Sequence, residues 1–220
     1  MEMKTSFRLL LVLVTMIMVT STGPVFAMTP EDSIRVDWQQ FYQKYFDISV
    51  DFTDVHIPKD PAGFRRVIII PKGLTFAQVA NAAWRDRINV NARGKDLDKY
   101  VFNNVRAADR NYAIRVRERQ EPDNELMSLS ANELKERGDN IITLLELLVY
   151  ELKYWDETRE HLNLYTWTIC AGSRAAKGYV PCVRWWYNQG CTFKNGSLTV
   201  DWYIPDHTSD RFRGRAVVSK

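Results

Sequence analysis

Apolar positions recur with helical spacing through much of the first two thirds of the chain, and with a two-residue period through the last third. Thr29-Pro30-Glu31-Asp32 has the form of a helix start: a capping hydroxyl, proline in the first turn, then acids facing the positive helix end. Ile34, Trp38, Phe41, Tyr42 and Tyr45 follow at helical spacing and predict an amphipathic helix. Val67-Ile68-Ile69-Ile70 is a short, continuously apolar, β-branched run ended by Pro71, which predicts a strand buried on both faces. Lys72-Gly73 turns the chain. Thr75 and Gln78 then form a capping box for a helix bearing Phe76, Val79, Ala80, Ala83 and Trp84. Arg66 to Arg85 therefore reads as a β-turn-α unit.

Asp86 to Arg110 is polar and broken by asparagine and glycine, so loops are expected there, with a short helix near Leu97 to Phe102. Tyr112, Ile114 and Val116 alternate with Ala113, Arg115 and Arg117 and predict a half-buried strand that ends at Glu121-Pro122-Asp123-Asn124. Ser130 and Glu133 make a capping box for a short helix stopping at Gly138, and Thr143 with Glu146 caps what is expected to be the longest helix. On that helix Ile141, Leu144, Leu145, Leu148, Leu152 and Trp155 share one stripe, flanked by Leu147, Tyr150 and Tyr154. A surface this wide predicts the central packing helix.

After Leu162 the texture changes. Tyr165 to Cys170 alternates, Val180 to Tyr187 is aromatic and extended, and Leu198 to Ile204 alternates until Pro205 ends it. Arg213 to Val218 is a last short strand. Helices early and strands late, without regular βαβ alternation, predict an α+β fold. In it, N-terminal helices and the β-turn-α unit pack on a strand-rich C-terminal module. The expected regions are 28–140 and 141–220, the second either a module of its own or continuous with the first.

The start of the chain decides where the protein works. Lys4 and Arg8 precede an apolar run opening at Leu9-Leu10-Leu11, and Val25-Phe26-Ala27 supplies small residues where a signal peptidase reads. Residues 1–27 read as a secretory signal peptide cut before Met28. A membrane anchor is disfavoured because the apolar core falls short of the ~20 residues a span needs and is broken by Ser21-Thr22-Gly23-Pro24. The expected location is secreted, periplasmic or at the cell surface, with no spanning segment in the mature chain. With 45% apolar residues a packed core is expected, and a formal net charge of +3 over 220 residues is too weak and mixed to argue for nucleic acid.

Three cysteines, Cys170, Cys182 and Cys191, can form at most one intrachain bridge, and none is spaced as C-x-x-C. A zinc site from these with His207 is disfavoured for that reason. No run of acidic ligands demands calcium, and no cofactor signature appears. Catalysis has little local support: Cys170-Ala171-Gly172-Ser173 lacks a nucleophile motif, Gly172-Ser173-Arg174 is not a nucleophile elbow, and Asp206 and Asp210 are ordinary loop acids.

Binding has the stronger case. Between Tyr179 and Phe212 one set of residues, Val180, Val183, Leu198, Val200, Trp202 and Ile204, reads as a core face. A second set, Tyr179, Arg184, Trp186, Tyr187, Asn188, Asn195, Asp201, Tyr203, His207, Asp210 and Arg211, reads as a surface face. Aromatic rings beside amide and charged groups make adaptable contact surfaces. Adjacent strand residues point to opposite sides, so one of Trp185 and Trp186 must face outward; Trp202 is expected in the core.

Two stretches carry family resemblances. Thr168 to Arg174, Val180-Pro181, Val200-Asp201-Trp202-Tyr203 and the ending Arg213 to Ser219 resemble exported bacterial proteins and the variable proteins of diversity-generating retroelements. The resemblance covers about 144–220. It implies a C-type-lectin-like domain with hypervariable ligand-contacting positions, binding an extracellular protein or glycan without catalysis. Separately, Ile70 to Ala80 is similar to the first half of a LysM glycan-binding module, with Gly73-Leu74-Thr75 where that family has Gly-Asp-Thr. This implies the alternative of a cell-wall glycan binder whose second helix and strand fall within 97–116. A glycan hydrolase is the third reading.

Overall fold

The computed structural model describes residues 28–187 and 196–219. The fold is α+β. Helix α1 (Pro30–Phe46) opens with the expected capping hydroxyl of Thr29, and Asp32 completes a capping box not expected there, the two satisfying each other's backbone N–H; the helix buries Trp38, Phe41, Tyr42 and Tyr45. Strand β1 (Arg66–Ile70) runs into α2 (Phe76–Arg85), which starts at the Thr75–Gln78 box. Ile68, Ile69 and Ile70 are fully buried, and Tyr42 seals one end by donating its hydroxyl to the Ile69 carbonyl at 2.7 Å. β1 pairs antiparallel with β4 (Tyr112–Val116), Ile68 opposite Ile114. The expected β-turn-α unit is therefore present, with one correction: Trp84 on α2 is 66% exposed. The inward stripe of α2 is completed instead by Ala82 and Ala83, whose small side chains let the helix sit close.

The polar stretch after α2 is more ordered than its composition suggests. It holds β2 (Asn89–Asn91), the short helix α3 (Leu97–Tyr100) and β3 (Val101–Asn104). Helix α4 (Ala131–Glu136) and helix α5 (Leu144–Thr158) both begin with capping boxes, at Ser130–Glu133 and Thr143–Glu146. α5 has 15 residues against 17 for α1, so among the described residues it is the second-longest helix and not the longest. It is buried through ten consecutive residues from Leu144 to Lys153, three of them charged. Each charge has a partner: Glu146 takes Arg106 Nε at 2.7 Å and Nη2 at 2.9 Å, and Glu151 accepts the Leu162 N–H at 2.9 Å. Lys153 donates to Asp37 at 2.8 Å. A buried charge without a partner would be costly, so these contacts are what allow polar residues on a central helix.

The last third supplies β5 (Trp167–Ile169), β6 (Ser173–Ala175), β7 (Val180–Trp186), β8 (Ser197–Tyr203) and β9 (Phe212–Gly214). Five strands form one mixed sheet in the order β2-β8-β7-β5-β9. β7 is antiparallel to β8 and to β5, whereas β2 runs parallel to β8 and β9 parallel to β5. β3 pairs antiparallel with β6. The closing segment is shorter as a strand than expected. After Gly214 it makes only single bridges, Ala216 to Ile141 and Val218 to Arg115.

Four pairings (β2 with β8, β3 with β6, Met127 with Arg213, Val218 with Arg115) tie residues before 140 to residues after it. One apolar cluster also runs from Trp38 to Val217 across that position, so the two regions share a core. A smaller cluster of Trp167, Ile169, Val180, Cys182 and Phe212 with Ala131 of α4 lies on the opposite face of the sheet. Among the described residues no helix is long and apolar enough to cross a membrane.

Candidate functional site

The register between β7 and β8 decides which side chains share a face. Trp186 lies opposite Ser197, Arg184 opposite Thr199, Cys182 opposite Asp201 and Val180 opposite Tyr203. Strand alternation puts these eight on one side, with Asn91 (opposite Thr199) and Trp167 joining from the neighbouring strands. Val183, Trp185, Leu198 and Val200 point the other way and are buried in the main core. Trp185 is 3% exposed and Trp186 48%, the split that alternation requires.

The open end of this outer face is a concave patch of about 260 Å³ lined by Asn91, Arg93, Trp167, Trp186, Ser197 and Thr199. Arg93 sits just after β2. Its Nε and Nη2 reach both carboxylate oxygens of Asp201 at 2.8 and 3.0 Å. The hydrogen bond and charge of Asp201 raise the Arg93 pKa further, so the pair is a fixed, internally neutralised wall. Ser197 and Thr199 hydroxyls lie 3.2 Å apart. The Arg184 guanidinium stands 5.0 Å over the Trp186 ring, bracing the indole while leaving its outer side in solvent.

Of the predicted surface residues, Arg184, Trp186 and Asp201 come together here; Tyr187, 55% exposed, does not join them, since its ring meets the core-face Trp185 edge-on at 6.3 Å. Asn188 and Asn195, like Cys191, lie outside the described residues. Tyr203 and His207 are at the other end of the face. Their rings stack at 4.7 Å, and Tyr203 meets the Phe212 ring edge-on at 4.8 Å, so both help close the small apolar cluster. Burial, then the neighbouring Asp201 charge, raises the Tyr203 pKa. Asp210 and Arg211 are exposed on the loop before β9, away from the patch lining.

Three assignments are corrected. Tyr179 does not belong to the surface face; it is half-buried against the main core, because β7 begins one residue later and alternation turns Tyr179 inward. Val180 belongs to the outer face, in the small cluster, and not to the core face. Ile204 is 57% exposed, because β8 ends at Tyr203 and the chain turns away before Pro205. Trp202 is half-buried against the main core, its ring 4.6 Å from Tyr100. The patch residues missed from sequence are Asn91, Arg93, Trp167, Ser197 and Thr199. Ser197-x-Thr199-x-Asp201 shares one parity, a signal that could have placed the two hydroxyls beside Asp201.

Cys170, Ser173 and His161 are held in structural roles. Cys170 is fully buried, and burial pushes its thiol pKa well up. The Ser173 hydroxyl accepts the Leu144 N–H at 2.9 Å, a structural bond at the start of α5. His161 is held between the Trp155 and Trp185 rings with Nδ1 2.7 Å from Glu151. Asp206 and Asp210 are exposed loop carboxylates. Among the described residues no three His, Cys, Asp or Glu side chains gather as a metal site.

The Gly73 loop has a structural use. Gly73 N–H donates to the Ala108 carbonyl and Lys72 N–H to Asn111, both at 2.7 Å. Asp98 accepts the Phe76 and Ala77 N–H groups at 2.8 and 2.9 Å, so the start of α2 is already capped. Compared with family models, with curated proteins and with solved structures, the chain matches none.

Proposed function

We propose that the protein is exported and binds an extracellular glycan, without catalysis, through the patch between Arg93 and Trp186. The observation that carries this reading is the pairing of a half-exposed, braced indole with a polar hollow of amide and hydroxyl groups. A sugar ring offers an apolar face to stack on an indole and hydroxyls to meet amide, hydroxyl and guanidinium groups. The internally neutralised Arg93–Asp201 pair makes the hollow suit a neutral sugar better than a charged one. The same braced aromatic groups could anchor a protein partner. A glycan array separates the two, and Trp186→Ala should lower retention of any bound glycan at least ~10-fold, the scale of losing an anchoring aromatic. Binding that survives in Trp186→Ala would place the site elsewhere. The resemblance to retroelement variable proteins and their C-type-lectin-like domain supports the same reading from the sequence side.

A second reading, a LysM-like cell-wall glycan binder, is supported by one feature. β1 and β4 pair antiparallel with α2 and α3 between them. The intervening β2 and β3 join other strands, which is a departure from a compact module. Peptidoglycan retention that is lost on changing Gly73 and kept in Trp186→Ala would favour it.

A further inference from the structure

A second hollow, of about 450 Å³, lies near the small apolar cluster, where β3, α4 and the turn between β5 and β6 meet. Ala131, Ile141 and Ala171 give it an apolar wall, and Asn103, Lys135 and Arg174 supply polar groups. Its shape is set by close chain crossings. Gly172 donates its N–H to Ile142 O at 3.2 Å, and its carbonyl accepts the Val105 N–H at 2.9 Å. A Cβ at position 172 would stand 2.6 Å from the Ile141 carbonyl, so only glycine lets these segments approach.

Half-buried Arg66, Arg106 and Arg117 each face a carboxylate, whereas Arg115 and the fully buried Arg215 have none among the described residues and instead spread two guanidinium nitrogens over three oxygen acceptors each. Arg174 is half-buried too, yet its Nη1 meets only the Ala171 and Ser173 carbonyls at 2.7 and 2.9 Å, and among the described residues no carboxylate pairs with it. Burial accordingly lowers its pKa. Lys135 lines the same hollow, exposed and without an acidic partner among the described residues. The acid in the wall, Asp139, is matched by Arg137 at 2.9 Å. A cation held by two carbonyls beside an apolar wall lacks an anion.

We propose that this hollow binds a small carboxylate with an apolar body, such as a short-chain carboxylic acid. The guanidinium fork of Arg174 suits the planar carboxylate, Lys135 adds charge at the rim, and the alanine and isoleucine wall takes the apolar part. A phosphate dianion fits less well, because Asp139 stands in the wall and nothing on the apolar side could solvate the remaining oxygens. The site is independent of the Trp186 patch.

Calorimetric titration with hexanoate, hexanamide and inorganic phosphate tests this. Hexanoate should bind with a one-to-one end point, at least ~10-fold tighter than hexanamide or phosphate, as expected if the ion pair decides affinity. Arg174→Gln and Lys135→Gln should each weaken hexanoate binding measurably, by about 5-fold or more. Lys135 is exposed, so its replacement leaves folding intact even if Arg174→Gln disturbs the turn. Trp186→Ala should bind hexanoate as the wild type does. The proposal is overturned by hexanoate that does not bind or binds no better than hexanamide, by tighter phosphate binding, by undiminished binding in Lys135→Gln or in folded Arg174→Gln, or by loss of binding in Trp186→Ala.

Discussion

The two ends of the outer sheet face are built from the same strands, yet one is dry and the other wet. At the dry end Trp167, Ile169, Val180, Cys182 and Phe212 pack together, covered by Ala131 of α4 and by the Tyr203 ring. At the wet end Asn91, Arg93, Ser197, Thr199 and Trp186 line an open hollow, with Trp167 on the border belonging to both ends. Strand alternation is the same in both. What differs is the cover among the described residues: a helix and a loop return over one end, and the Arg93–Asp201 pair crosses the other. Residues at the dry end should therefore carry stability, and residues at the wet end should carry recognition.

The sharpest way to break this contrast is Phe212→Ala. Phe212 is buried among Trp167, Tyr203 and His207, so its loss should destabilise the protein by about 3 kcal/mol in chemical denaturation, the usual cost of emptying a buried aromatic site. A cost near zero would mean that the dry end is not a packed core.

A second measurement reads burial through pH. Burial raises the thiol pKa of both Cys170 and Cys182 above its ordinary value. The folded protein keeps these protons where the unfolded chain releases them. The stability they contribute is full below about pH 8.5 and falls as pH rises past it, by up to about 1.4 kcal/mol per pH unit for each thiol. Denaturant midpoints between pH 8 and pH 10 should show this decline, and Cys182→Ala should flatten it. An unchanged slope in that variant would mean water reaches Cys182.

The smallest expected effects are at the wet end. Trp186→Ala should change stability by less than about 0.5 kcal/mol, because half of the indole already faces water. Arg93→Ala should cost under about 1 kcal/mol, as exposed ion pairs do. Losses several times larger in thermal or chemical unfolding would erase the distinction between the two ends.

Much of the fold was legible locally. The four capping boxes at Thr29, Thr75, Ser130 and Thr143 start helices where their hydroxyl and acid or amide spacing says they should, because capping is settled within four residues. The isoleucine run of β1 and the apolar breadth of α5 announced burial for the same reason. The candidate site was half legible. Strand parity required one exposed tryptophan at 185–186, and Arg184 and Asp201 were assigned to the same face. Asn91 and Arg93 were not legible, since they sit in a stretch whose polar composition looks like loop. It becomes a strand only because β8, over a hundred residues later, offers its edge.

The chain alone determined where helices begin, which strand positions alternate, and that one indole must face outward, since each depends on neighbours a few residues apart. Tertiary structure alone decided that Ile204 and Trp84 stay out, that Arg174 has no carboxylate among the described residues and that Arg93 closes on Asp201. These depend on which distant segment covers a face, and cover is a property of the packed molecule, invisible to local pattern.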